Sequence, residues 1–272
     1  MQQRTITGIF FLIILVGGIY LGPIGFAILF SFISLAGLAE FYRLVRYGHV
    51  YPNAPLGMVL AVLILAYGFG TKLFWLHLTN TLPIMAVVFF MAIFLLAELY
   101  RDLKYPMNNI AITIFGVGYV VLPFVFLAAI GSDGIGNYNP NRLVAIYALF
   151  WANDVGAYLI GKSMGRHKLF ERVSPKKTWE GFIGGGIIAV ASGYFLAFYT
   201  NLFSLEQGLI CGGIAAVFGT FGDLVESALK RSVNVKDSGS LLPGHGGILD
   251  RFDSQIFTFP ILYLYLNILS NP

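Results

Sequence analysis

Apolar runs broken by short polar or Gly/Pro-rich stretches recur along the whole chain. Read by length and by their flanking breakers, they predict helices over 6–20, 22–38, 55–75, 82–99, 109–130, 142–161, 180–200, 207–226 and 253–270. Most approach the roughly 20 apolar residues that cross a bilayer. No long polar stretch remains to form a soluble domain, so residues 1–272 are expected to form one polytopic membrane domain. Its N-terminal helices cover 1–141, and the helices and loops that carry its charged segments cover 142–272. The first pair is the least defined. Residues 6–38 would run about 50 Å as one helix, yet they fall short of two full spans. Gly22 and Pro23 favour a tight hairpin between two helices.

Composition moves the expected solvent from water to lipid. The chain is 57% hydrophobic and 11% charged, with a mean hydropathy of +0.78, against about 25% charged in soluble domains. The expected fold class is an all-α integral membrane protein with about nine transmembrane helices. Fifteen of the 17 Lys and Arg residues fall on connectors of one side, and only Lys72 and Arg142 fall on the other. The positive-inside rule then puts the N-terminus in the cytoplasm and the C-terminus outside. A single helix over 6–38 would move only Arg4, so the charge-rich loops stay cytoplasmic either way.

The net charge of +4 is not gathered into a stripe that would suit nucleic acid. Cys211 is the only cysteine, which excludes an intrachain disulfide and a cysteine-based metal cluster and leaves it as a packing residue. The first apolar run is not followed by a small-residue cleavage site and is read as a retained helix. No long internal repeat is visible. Gly181, Gly184, Gly185 and Gly186, with Gly212, Gly213, Gly219 and Gly222, predict close approach of helix backbones.

Two groups of polar residues interrupt this pattern. On the helix over 207–226 and its continuation, Ser227 and Lys230 each lie within about 40° of Asp223 at 100° per residue, so the three share one face. Asp223 sits about 24 Å from the start of that helix, near the inner edge of the hydrocarbon. A carboxylate there needs a basic partner or a cation. Glu226 is read instead as a helix-end partner of Lys230 at i, i+4. The connector that follows carries Gly239, Gly244, Gly246, Gly247 and Pro243, a backbone able to fold around a ligand with its amides free to donate. It leads to Asp250, Arg251 and Asp253 at the next helix start. Two carboxylates, Asp223 and Asp250, with Lys230, Arg231 and Lys236 nearby, suit Mg²⁺ bound with a nucleoside triphosphate. His245, between glycines, is read as a turn or loop hydrogen-bonder.

The second group is Asn153 and Asp154 within an apolar helix, followed by Ser174, Pro175, Lys176, Lys177 and Thr178. Asp154 lies about 18 Å along from Arg142, inside the inner leaflet. Ser-Pro-Lys-Lys-Thr directly precedes the helix start Trp179-Glu180-Gly181, which favours anion binding by Lys176 and Lys177. Arg166, Lys168 and Arg172 need no more than generic positive-inside anchoring.

The segment Ser227–Asp253, with Lys230-Arg231, Lys236-Asp237, His245-Gly246-Gly247 and Asp250-Arg251-Phe252-Asp253, resembles the signature of phosphatidate cytidylyltransferases, the CDP-diacylglycerol synthases. The stretches Asn153-Asp154 and Ser174–Gly181 resemble that family too, so the likeness covers roughly residues 150–255, whereas residues 1–140 match only as apolar helices. The resemblance implies a membrane enzyme that makes CDP-diacylglycerol and pyrophosphate from CTP and phosphatidic acid. It also implies Mg²⁺ on Asp223 and Asp250, room for a second, monovalent cation such as K⁺, and a homodimer. The expected setting is the cell inner membrane with the active site facing the cytoplasm. Asp223, Asp250, Lys230 and Arg231 are the expected catalytic residues. Lys176, Lys177, Ser174, Lys236, Asn153, Asp154 and Arg251 are expected at the substrate phosphates. Two other readings remain. One is a CTP-dependent kinase of the polyprenol or phytol type, with similar cations. The other is a cation transporter using Asp154, Asp223 and Asp250, which the gathering of charge on one side disfavours.

Overall fold

The computed structural model describes residues 2–74, 76, 81–132, 137–241 and 246–269. Among these residues the chain is almost wholly helical. In order come α1 (Gln2–Tyr20), α2 (Gly22–Arg46), α3 (Ala54–Leu73), α4 (Leu82–Arg101), α5 (Pro106–Gly116), α6 (Leu122–Ile130), α7 (Pro140–Met164), α8 (Trp179–Thr200), α9 (Leu205–Ser232) and α10 (Leu249–Leu264). A π-helical turn over Val117–Val121 joins α5 and α6 into one rod, and a second over Tyr265–Leu269 extends α10. Pro123 explains the first of these irregularities, because it cannot donate to the Tyr119 carbonyl one turn back and the helical register slips there. Among the described residues six helices are long and apolar enough to cross a membrane, including Pro106–Ile130 as a unit.

Helix starts follow local chemistry. Asn53, Asn139 and Thr178 accept from Leu56, Arg142 and Gly181 amides and so cap α3, α7 and α8, while Ser204 and Gln207 form a reciprocal capping box on α9. Residues 6–38 are two helices, not one. The break falls at Gly22, whose φ of +84° only glycine adopts without strain, with Pro23 in the first turn of α2.

Three expectations are corrected. First, α2 continues to Arg46 and α9 to Ser232, beyond the predicted ends at 38 and 226. Charged residues mark where a helix leaves an apolar environment, not where it stops, and Ala228, Leu229, Lys230 and Arg231 are good helix formers. Second, α10 starts at Leu249 instead of 253, which puts Asp250 in its first turn. Third, the loop after α7 contains a two-stranded antiparallel sheet, β1 (Lys168–Phe170) and β2 (Ser174–Thr178), with Lys168 opposite Thr178 and Phe170 opposite Ser174. Ser-Pro-Lys-Lys-Thr is therefore a strand, held beside α8 by Trp179 N–H donating to the His167 carbonyl at 2.9 Å. His245 and the end of the predicted 253–270 helix lie outside the described residues.

Helices α7, α8, α9 and α10 pack in sequence. Glycines set that spacing: a Cβ on Gly185 would lie 2.7 Å from the Asn153 carbonyl of α7, and one on Gly212 would lie 2.5 Å from the Ala189 carbonyl of α8. Gly222 sits nearly as tightly against Asp253 and Phe257 of α10, whereas a Cβ on Gly186 would make only ordinary contact with Ala216 and one on Gly213 would meet nothing within 4 Å. The expected close packing thus holds for some of these glycines only. Phe252 and Phe259 of α10 meet Phe11, Phe124, Tyr147 and Phe150 edge-on, which ties α10 to α1, α6 and α7. Cys211 is fully buried, as expected of a packing residue.

Candidate active site

The polar residues converge where the C-terminal half of α9 faces β2 on one side and the start of α10 on the other. Asp223 accepts the Ser227 hydroxyl at 3.2 Å, one turn along the same face, and its carboxylate pairs with Lys177 Nζ of β2 at 2.6 Å. Lys177 also donates to the Thr220 carbonyl at 3.3 Å, so β2 is pinned to α9 through this lysine. Two turns beyond Asp223, Lys230 forms ion pairs with Glu226 on its own helix and with Asp250 of α10, the latter at 2.6 Å. The predicted i, i+4 pair is present, but Lys230 also serves a second carboxylate.

Asp250 is held on both oxygens. Lys230 occupies Oδ1, while Oδ2 accepts the Ser238 and Gly247 amides at 2.9 and 2.8 Å. The connector is thereby folded back onto α10. Gly246, at φ +84°, makes the turn, and a Cβ there would lie 2.6 Å from Asp250 Oδ2.

Cavities open around these side chains. A polar one of about 340 Å³ is lined by five carboxylates, of Asp154, Asp223, Asp237, Asp250 and Asp253, with Lys230 and Arg251 and two neutral residues. A larger one of about 450 Å³, with mainly apolar walls from α7 and α8, is reached by Asn153, Asp154, Lys176, Lys177 and Asp223. A third, of about 230 Å³, lies beside α1 and is lined by Thr7, Phe11, Trp151, Asp154 and Arg251 among others. Asp154 borders all three, and Asp223 the first two. Lys176 and Lys177 on the apolar space and Lys230 and Arg251 on the polar one could meet an anionic headgroup whose tail stays in lipid, whereas the shared carboxylates would need a cation between them and it.

The remaining predicted residues take other places. Asn153 is buried on α7 with its side-chain oxygen unpartnered in the protein, facing the larger cavity. Ser174 is half-buried at the start of β2 and lines none of the three. Arg231 is exposed and donates to the Val235 carbonyl at 3.0 Å, closing the end of α9, and Lys236 is exposed on the connector. Asp253 reaches the polar cavity although it was not among the expected site residues. Its signal was the i, i+3 spacing from Asp250 on one helix, which brings side chains to neighbouring positions.

Among the described residues no three His, Cys, Asp or Glu side chains form a cluster that could hold a metal by themselves. Asp223 and Asp250 line the same cavity, and their hard oxygens fit Mg²⁺, which takes one or two carboxylates and completes its shell with phosphate and water.

The profile described as "Cytidylyltransferase family" matches residues 2–269. The chain belongs to the cytidylyltransferase family. Among curated members, the phosphatidate cytidylyltransferase of Staphylococcus aureus (strain COL) is 34% identical over 272 residues, covering 98% of this chain and 99% of that one. The enzyme so named from Staphylococcus haemolyticus (strain JCSC1435) is 35% identical over 275 residues, with the same coverage. That of Bacillus subtilis (strain 168) is 33% identical over 279 residues, covering 99% of each. The likeness to these cytidylyltransferases therefore extends through α1–α6, well beyond the segment that carries the motifs.

Proposed function

We propose that this cytidylyltransferase joins CTP to phosphatidic acid, forming CDP-diacylglycerol and pyrophosphate. The observation that carries this reading is the junction of cavities at Asp154 and Asp223, where lysines and carboxylates meet a space walled by apolar helices. A diacyl phosphate can leave its chains in lipid while its headgroup meets a nucleotide entering from water.

A phosphatidate oxygen attacks the α-phosphorus of CTP, a new P–O bond forms, and the bond to the β-phosphate oxygen breaks to release pyrophosphate. The attacking oxygen is already anionic, so the obstacle is repulsion between phosphates, and positive charge with fixed geometry supplies the catalysis. Lys177 and Lys230 each reach a carboxylate of the site at 2.6 Å, and both are placed to donate to phosphate oxygens there. Lys176 and Arg251 add charge at the rims of the two cavities. Asp223 and Asp250 would hold Mg²⁺, which supplies charge neutralisation at the nucleotide phosphates, and Asp154 and Asp253 offer oxygens for a second, monovalent cation such as K⁺. Arg231 and Lys236 would act from the outer approach.

The site lies on the cytoplasmic side of a cell inner membrane, with nine spans, the N-terminus inside and the C-terminus outside, and the active protein is a homodimer. Support for that orientation is the concentration of Lys and Arg on the loops around the site. The reaction is tested with purified protein, phosphatidic acid, Mg²⁺ and CTP labelled at either the α- or the γ-phosphate. Transfer of the α-label to lipid with one pyrophosphate per lipid is expected. A γ-label appearing in lipid with CDP release would overturn the reading in favour of a kinase.

A further inference from the structure

Glu40 lies on α2, in the half of the chain that carries no motif, among Leu38, Phe41 and Tyr42 of the core, and it is only 3% exposed. A carboxylate at such a place is costly unless its oxygens are satisfied, and no Lys or Arg pairs with it among the described residues. Both its hydrogen bonds go instead to the connector between α9 and α10. Oε2 accepts the Ser238 hydroxyl at 3.2 Å and the Leu249 amide at 2.9 Å.

Leu249 is the first residue of α10, and Ile248 before it has no side chain able to cap the helix. Glu40 therefore caps α10 from 209 residues away, where the free amides and the helix dipole favour a negative group. Ser238 joins two carboxylates: its hydroxyl donates to Glu40 and its amide to Asp250 Oδ2. The connector glycines fit around the same group. A Cβ on Gly239 would lie 2.5 Å from Glu40 Oε1, and one on Gly247 would overlap Oε2.

We infer that Glu40 is a positioning residue for the active site, fixing both ends of the 238–249 connector and, through Ser238, the carboxylate of Asp250. This rests on the proposed reaction, in which Asp250 serves the nucleotide. Without Glu40 the start of α10 loses its cap, and Asp250 must hold Ser238 without support from the other side.

The test compares the full-length protein with Glu40→Gln, Ser238→Ala and the double variant, by steady-state kinetics in CTP and in phosphatidic acid and by amide hydrogen exchange over 238–250. Glu40→Gln is expected to lower kcat/KM for CTP about tenfold, the worth of one charge-assisted hydrogen bond, with the phosphatidate KM unchanged. Exchange at 238–241 and 246–250 should quicken by a similar factor while α9 stays protected. Ser238→Ala should show the same pattern more weakly, and the double variant should be no worse than Glu40→Gln, since both act through one relay. Wild-type CTP kinetics in Glu40→Gln, losses that multiply, or equal effects on both substrates would overturn the inference. If Glu40→Gln does not fold, Ser238→Ala decides alone, because it leaves the α2 carboxylate and its bond to Leu249 intact. Absence of labelled lipid from the wild type would count against the reaction, while the exchange data would still judge the grip on the connector.

Discussion

Replacing Lys230 by Met removes the cation that two carboxylates share. Its side chain is 10% exposed, that of Asp250 is 6%, and that of Glu226 is fully buried. A methionine fills nearly the same volume, so packing changes little and the loss is electrostatic. Asp250 retains two amide donors, whereas Glu226, itself fully buried, loses its only ion-pair partner among the described residues. Removing one partner of a buried pair costs about 3–5 kcal/mol, and at about 2–4 °C per kcal/mol this lowers the apparent melting temperature by roughly 10 °C. Differential scanning fluorimetry of the detergent-solubilised protein, at one fixed scan rate because unfolding of such proteins is commonly irreversible, measures the shift. The double variant Lys230→Met/Glu226→Gln should recover about half of it, since the amide abolishes the stranded charge. A single variant melting within about 2 °C of wild type, or a double variant no more stable than the single one, would refute the claim that Lys230 compensates Glu226.

Asp223→Asn and Asp250→Asn should each reduce CDP-diacylglycerol formation by at least about a hundredfold, with melting temperatures near wild type for Asp223→Asn; wild-type turnover at millimolar Mg²⁺ would remove their assignment. Chelation by EDTA should abolish lipid labelling and excess Mg²⁺ should restore it; activity that survives chelation would dismiss the divalent ion. Gly212→Leu should force α8 from α9, because even a Cβ would meet the Ala189 carbonyl at 2.5 Å, and overpacking of this kind costs about 1–3 kcal/mol. Unchanged thermal stability in that variant would show that the contact is not tight.

Much of the fold was legible because lipid imposes a simple code. A helix that crosses hydrocarbon must satisfy its own backbone and present apolar side chains for a full turn-by-turn length, and so the order of helices along the chain could be read from apolar runs alone. The ends could not. Lys230 and Arg231 look like loop residues by hydropathy, yet hydrogen bonding and the dipole at a helix C-terminus favour them inside α9. The hairpin of β1 and β2 was missed for a related reason: five residues that include Pro175, Lys176 and Lys177 have weak strand preference, and pairing with Lys168–Phe170 decides their form.

The same boundary separates what could be read of the site. Local spacing placed Asp223, Ser227 and Lys230 on one face and put Asp250 at a helix start, because those relations depend only on helical geometry a few residues long. It could not say that Lys177 reaches Asp223, that Asp154 borders three cavities, or that Lys230 divides itself between Glu226 and Asp250. Those pairings span different helices and depend on where glycines let backbones approach. Glu40 is the clearest instance. In the sequence it is one acid near the end of an apolar helix, but the packing of α2 beside the start of α10 turns it into the cap of a helix 209 residues away. Composition and periodicity determined the solvent, the elements and the chemistry available, while tertiary packing alone decided which charges meet, because a buried charge takes its role from the partners that the fold brings to it.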